Sequence, residues 1–164
     1  MNKVINFLIK SFLLISLFLL PNINKAQEIL IYADSITYDK DENLIAKGNA
    51  KIFYDNQLII SDLIIYDKLN EKINLPVEFT FKDKNNNFFE GKNGFFNKNF
   101  KIAEFDNPKI RLNDGSRLIG NKIKRNGNID IISKGVYTPC NSRIKIGSFI
   151  CPTWQLEGEK ILHD

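Results

Sequence analysis

The sequence is poor in the residues that catalysis and metal binding need. Its 164 residues hold one histidine, His163, next to the last position, and two cysteines, Cys140 and Cys151. A Ser-His-Asp triad inside the domain and a histidine-rich metal site are therefore excluded, and two thiols cannot complete a zinc site alone. We expect no enzyme, no metal and no cofactor. Long apolar runs are also missing. The longest, Ser11–Leu20 (SFLLISLFLL), falls short of the roughly 20 residues a membrane-spanning helix requires. An excess of one charge is missing too. The formal net charge is +4, but Lys3, Lys10 and Lys25 lie in a segment expected to be removed; taking three from 23 basic residues leaves 20 against 19 acidic, a net of +1. That balance gives no argument for a nucleic-acid partner.

Residues 1–26 read as a signal peptide. Lys3 and Lys10 precede the apolar run, Pro21 ends it, and Ala26 offers a small residue for cleavage. An uncleaved N-terminal anchor is the alternative. No cysteine follows the run, which excludes lipid attachment there. A chain starting at Gln27 lies outside the cytoplasm, where Cys140 and Cys151 can be oxidised. A local bridge between them would contribute about 2–4 kcal/mol; their spacing excludes a CxxC redox site.

From Glu28 onward apolar and polar residues alternate, with many β-branched and aromatic types and with Asn, Asp and Gly between the runs. Ala33-Asp34-Ser35-Ile36-Thr37-Tyr38-Asp39 returns 28 positions later as Ser61-Asp62-Leu63-Ile64-Ile65-Tyr66-Asp67. Looser copies follow at Glu90-Gly91-Lys92, at Gly120-Asn121-Lys122-Ile123 and at Gly158-Glu159-Lys160-Ile161. A second strand type lies between: Ala50-Lys51-Ile52-Phe53-Tyr54, Val77-Glu78-Phe79-Thr80-Phe81 and Pro108-Lys109-Ile110-Arg111-Leu112. A period of two puts Ala50, Ile52, Tyr54, Val77, Phe79, Phe81, Pro108, Ile110 and Leu112 on one face and Lys51, Glu78 and Lys109 on the other. Two-strand repeats of this length stack into one continuous sheet structure. The expected fold is all-β, a β-jellyroll or β-taco of two sheets closed over one apolar seam. A membrane barrel would turn the charged face to lipid at about 2–4 kcal/mol per charge, so the polar face meets water.

The Ala-Asp-x-Ile-x-Tyr-Asp and Gly-Asn-Ala-Lys-Ile units resemble the OstA-type repeat of the lipopolysaccharide (LPS) transport families. The ending is more specific. Tyr137-Thr138-Pro139-Cys140, Cys151-Pro152-Thr153-Trp154-Gln155-Leu156 and Lys160-Ile161-Leu162-His163-Asp164 resemble the segment that joins the periplasmic domain to the barrel in the LptD family of LPS-assembly proteins. The resemblance implies an OstA-like jellyroll over 27–136, with 137–164 supplying the last strands and a connection toward an outer-membrane barrel absent from this chain. The chain is expected to be a fragment of such a protein. It would sit on the periplasmic side of the outer membrane, the full-length protein being an outer-membrane component.

The implied role is to receive LPS and hold its lipid A acyl chains in the apolar groove. The residues expected to line it are Ile36, Tyr38, Ile64 and Tyr66 from the first strand type, and Ala50, Ile52, Tyr54, Val77, Phe79, Phe81, Ile110 and Leu112 from the second. Burying an alkyl chain yields about 0.8 kcal/mol per CH₂, on the order of 9 kcal/mol for twelve carbons before ordering costs. Read plainly, the same residues are a packed core; in a V-shaped sheet pair, core and groove are one face. The resemblance also implies strand addition to an LptA-like bridge, with Glu28–Tyr32 as the joining edge, and an LptE-like lipoprotein partner only if a barrel follows. In the resembled family the cysteines bond to cysteines beyond the barrel, so a local bridge, long-range bridges and free thiols all stay open. Competing readings are a stand-alone LptA-like bridge and a secreted structural or adhesive β-solenoid that binds no ligand. Trp154 reads as a packing anchor and His163 as structural. Asp34, Asp62 and Glu90 read as solvent-facing or turn-capping, and the Lys122, Lys124, Arg125 cluster as a solvated strand face.

Overall fold

The computed structural model describes residues 28–139, 145–146, 149–150 and 154–164. The expected signal peptide, residues 1–26, and both cysteines lie outside the described residues. Fourteen strands and no helix are found among the described residues. The first seven are β1 (Leu30–Tyr32), β2 (Ser35–Tyr38), β3 (Leu44–Tyr54), β4 (Gln57–Asp67), β5 (Lys72–Leu75), β6 (Phe79–Lys82) and β7 (Phe88–Asn97). The rest are β8 (Ile102–Arg111), β9 (Arg117–Ile119), β10 (Lys122–Asn126), β11 (Ile129–Thr138), β12 (Lys145–Ile146), β13 (Phe149–Ile150) and β14 (Leu156–His163). All pairings are antiparallel; twelve strands form one sheet, and β12 and β13 pair only with each other.

The long strands cross a crease. β3 pairs with β2 through Leu44–Lys47 and with β1 through Lys51–Phe53. β4 likewise divides between β6 and β5, and β8 between β10 and β9. The chain thus alternates between two wings. The crease is marked by register shifts between Lys47 and Ala50 and between Glu90 and Phe95. Left-handed residues recur along it: Gly48, Asn49, Asn93, Asn107 and Lys134. Asn tolerates that conformation better than most residues, which gives the frequent asparagines a structural role. Pro76 and Pro108 stand at the same line, where a missing N–H donor breaks no ladder bond. The wings face each other: Phe79 and Phe81 of β6 meet Phe96 of β7's second half at ring-centroid distances of 5.8 and 4.8 Å, and Phe79 meets Phe105 of β8 at 5.1 Å. A Cβ on Gly91 or Gly94 would run into Phe105. The fold is the expected all-β jellyroll.

The repeat is visible as stacking. Directly opposed residues of an antiparallel pair share a face. In one wing, Ile36 opposes Ala46, which opposes Ile64; farther along the wing Phe105, Ile123, Ile132 and Ile161 are opposed in turn. The repeat therefore returns Ile36 and, 28 positions later, Ile64 to one rung of the inner face, which Ile123 and Ile161 of the looser copies also occupy. In the other wing the rung runs Ile31, Ile52, Ile59, Phe81, Phe89, Ile110, Leu118 and Tyr137.

One strand start differs from expectation. Val77 was placed inward as the first residue of a strand, but β6 begins at Phe79. Pro76 ends β5, and Val77 lies in the bend at the crease, 39% exposed. A proline forces its neighbours out of the ladder, and this breaks the alternation that the second-type repeat suggested. Ala50 and Pro108, the equivalent positions, are buried.

Candidate functional site

The trough between the wings has three zones. At its N-terminal end the cover is incomplete. Ile36 and Tyr38 face inward with Ala46 and Leu44, yet remain 45% and 59% exposed, because β1 and β2 are edge strands and no further strand among the described residues covers them. An open cleft of about 510 Å³ lies there. Ile29, Ile31, Ile36, Leu44 and Tyr66 line it, and Lys68 and Lys98 stand at its rim. Lys98 Nζ is 2.6 Å from Glu71 Oε1; that bond raises its pKa. Partial burial raises the Tyr66 phenol. Lys68 Nζ sits 5.0 Å over the Tyr38 ring.

The middle zone is filled. Ala50, Ile52, Ile64, Phe79, Phe81 and Ile110 are all buried, joined by Ile59, Ile73, Phe89, Phe96, Phe100 and Phe105. Tyr54 and Leu112 are half-buried against this cluster at the rim. Of the twelve residues expected to line a groove, only Val77 lies off the inner face. Ile36, Tyr38 and Tyr66 border open space, and the other apolar members contribute to packing.

At the C-terminal end the inner face turns polar. The rung that holds Ile73, Phe96 and Ala103 continues to Arg125, Asp130 and His163. Arg125 donates through Nε to Asp130 Oδ1 at 2.7 Å and through Nη2 to Oδ2 at 2.8 Å. Asp130 is buried, Arg125 nearly so, and the guanidinium lies 4.7 Å from the Phe89 ring centroid and 5.3 Å from that of Phe81. His163 Nδ1 is 4.0 Å from Asp130 Oδ2. Above this pair the mouth of the trough holds a polar pocket of about 650 Å³ between the hairpin turns of the two wings. Lys122 and Lys124 point the other way and pair outside with Glu104 and Asp106; the two lysines hold the Glu104 carboxyl below its ordinary value.

The basic cluster is therefore split, not a single solvated face. Alternation along β10 carried that signal, since Arg125 shares the parity of buried Ile123. The aromatic middle was less legible: Phe100 lies in a turn, outside any alternating run. Trp154 packs against Tyr137, ring centroids 6.2 Å apart, but stays half-exposed. No group of three His, Cys, Asp or Glu that could hold a metal occurs among the described residues. Chemically, the trough offers apolar walls with an apolar cleft at its N-terminal end and a polar pocket at its C-terminal end.

No family model and no curated protein matches the chain. Among solved structures the chain is similar to LptH of Pseudomonas aeruginosa, titled the LptA homologous periplasmic component of the conserved lipopolysaccharide transport device, at 18% identity and a TM-score of 0.50, over 60% of this chain and 75% of that one. The likeness is one of fold: this chain has an all-β jellyroll architecture like that of LptH.

Proposed function

We propose that this domain is a non-catalytic LPS-transport module of the periplasm, receiving LPS at the N-terminal cleft and holding acyl chains against the inner face. The observation that carries the reading is the open apolar end: Ile36 and Tyr38 face the trough and keep about half their surface uncovered. In a monomeric protein, large apolar residues left uncovered beside a concave cleft favour an apolar ligand or partner. The YTPC and C-P-T-W-Q-L segments favour an LptD-type domain, whose barrel would follow Asp164 and hold it at the outer membrane with an LptE-like partner. The likeness to LptH favours a bridging component with the same fold. Reading the nucleotides after Asp164 separates the two: a barrel or a stop codon.

Both ends of the twelve-strand sheet suit strand addition. β1 and β2 close one edge with Leu30, Tyr32, Ile36 and Tyr38 exposed; β14 closes the other with Leu156 and Leu162 exposed. Unpaired edges with apolar side chains accept another strand, so the edge at Leu30–Tyr32 is the proposed joint with an LptA-like partner. Residues 1–26 are proposed as the export signal. Cys140 and Cys151 are proposed to form disulfides, locally or beyond this chain.

The test is photo-crosslinking to LPS in cells from probes at Ile36, Tyr66, Ile52 and Ile110. Adducts are expected at the first two most strongly. Adducts confined to outer-face positions such as Lys51 would remove the trough from the proposal.

A further inference from the structure

We propose that Phe100 is a plug occupying an acyl-chain subsite at the side of the trough, and that lipid enters this subsite by displacing it. The inference rests on the lipid-binding reading above and adds a site and a route to it.

The hairpin turns of both wings hold residues in the left-handed conformation: Glu42, Asp55, Asn56, Glu71, Asn86, Phe100, Gly115 and Gly127. At Glu42, Asn86, Phe100 and Gly115 the amide of that residue donates to the carbonyl three positions back, as Phe100 does to Asn97 at 2.9 Å. Glu42, Asp55, Asn56, Glu71 and Asn86 are exposed, and Gly115 and Gly127 have no side chain to bury. Phe100 alone of these is bulky, aromatic and buried, at φ 59°. A bulky residue in this region is a conformational outlier, and such outliers persist where surrounding structure over-determines them.

What holds it is on the page. The ring reaches from the β7–β8 turn of one wing to Tyr54 and Phe81 of the other, with centroids 5.7 and 5.5 Å away and edge-to-face geometry. It also meets Phe96 of its own wing at 5.7 Å. Phe100 is therefore a rim residue whose side chain spans the mouth. On its C-terminal side lies the polar pocket. On its N-terminal side the mouth runs past Tyr54, Glu71 and Lys98 toward the apolar cleft. The slot it fills is walled by the rings of Tyr54, Phe81 and Phe96, an aromatic lining that suits a hydrocarbon chain. The turn backbone is anchored without the ring: Asn97 Oδ1 accepts from the Ile102 amide, Asn99 Oδ1 from that of Lys101, and the Lys101 carbonyl from that of Gly127. The side chain can leave while the turn stays.

The experiment compares wild type with Phe100→Gly, which relieves the left-handed strain and empties the slot, and Phe100→Leu, which keeps an apolar plug without ring edges. Thermal melting identifies the folded variants, and stopped-flow mixing with purified LPS reports the loading rate. Loss of three ring contacts predicts loading at least about tenfold faster for Phe100→Gly and an intermediate rate for Phe100→Leu. Should Phe100→Gly not fold, the Phe100→Leu rate decides. Ser133→Ala, which removes the bond from the Ser133 hydroxyl to the Lys122 carbonyl on the outer face of β11, is the control and is expected to load at the wild-type rate. Wild-type rates in the folded Phe100 variants, with LPS still bound, overturn the plug alone. Equal acceleration by Ser133→Ala assigns the effect to general loosening and also overturns it. If no variant binds LPS, the lipid reading itself fails.

Discussion

At the N-terminal end of the trough, Tyr38, Leu44 and Tyr66 face inward around open space, and at the C-terminal end the same wing finishes in Arg125, Asp130 and His163. The N-terminal end leaves apolar groups uncovered; the C-terminal end holds a buried ion pair beneath a polar pocket. This inverts the usual arrangement, in which apolar groups are covered and charges are not. Both departures have a cost. Uncovered Ile36 and Tyr38 forfeit burial, and a buried ion pair gives up hydration that its attraction seldom fully restores. A protein selected only for stability would exchange the two ends. The contrast sets apolar walls around the N-terminal cleft and a buried guanidinium and carboxylate beneath the C-terminal pocket.

The largest effect should come from breaking the C-terminal end. Asp130→Ala leaves Arg125 nearly buried with no carboxylate, a change that costs about 3–5 kcal/mol. Tyr38→Ser, at the open end, is expected to cost under about 1 kcal/mol, since the side chain is mostly exposed. Urea denaturation of the two variants measures the contrast; similar losses would mean that the ends do not differ in the way their burial indicates. The double change Arg125→Met with Asp130→Leu removes both charges while keeping volume, and should recover most of the stability.

Much of this was legible in the chain. The second-type copies named Ala50, Ile52, Phe79, Phe81, Pro108 and Ile110 as inward, because a strand's period of two survives whatever its neighbours do. The 28-residue echo marked Ile36 and Ile64, its looser copies contain Ile123 and Ile161, and these stack on one rung. Val77 failed because one proline outweighed a pattern of five residues. The difference between the two ends was not legible, since alternation reports which face a residue takes and not whether another strand covers it. Ile36 and Ile64 have matching sequence surroundings; Ile64 is covered and Ile36 is not, a property of edge position alone. Phe100 was hidden because turns carry no periodicity.

A mid-sized effect tests the zone between the ends. Gly94 opposes Leu75 on β5, and a methyl group there meets the Phe105 side chain and the Glu104 carbonyl. Gly94→Ala is expected to cost about 1–3 kcal/mol through overpacking, read as a fall in thermal midpoint. A neutral outcome would mean that β7 and β8 shift easily against each other and that the middle is as adaptable as the open end.

The smallest effect concerns charge outside the trough, and it sharpens the contrast with charge inside. Lys124 and Arg125 are neighbours on β10 that take opposite faces, so one strand carries a surface network and a buried pair. The surface network centres on Glu104, whose carboxyl is held low by hydrogen bonds from Lys122 and Lys124. A folded-state pKa below the unfolded value means that the contribution is fully present above the ordinary glutamate value of 4.5 and is lost as the pH falls through the lower folded value. Glu104→Gln should therefore be less stable than wild type at neutral pH by no more than about 1 kcal/mol, and the gap should close at acid pH. Half-molar salt should shrink it as well, because exposed pairs are screened, whereas the loss in Asp130→Ala should persist in salt. A Glu104 effect that resists both acid and salt would place that carboxylate in an environment as dry as that of Asp130, and the distinction between the two faces of β10 would fall.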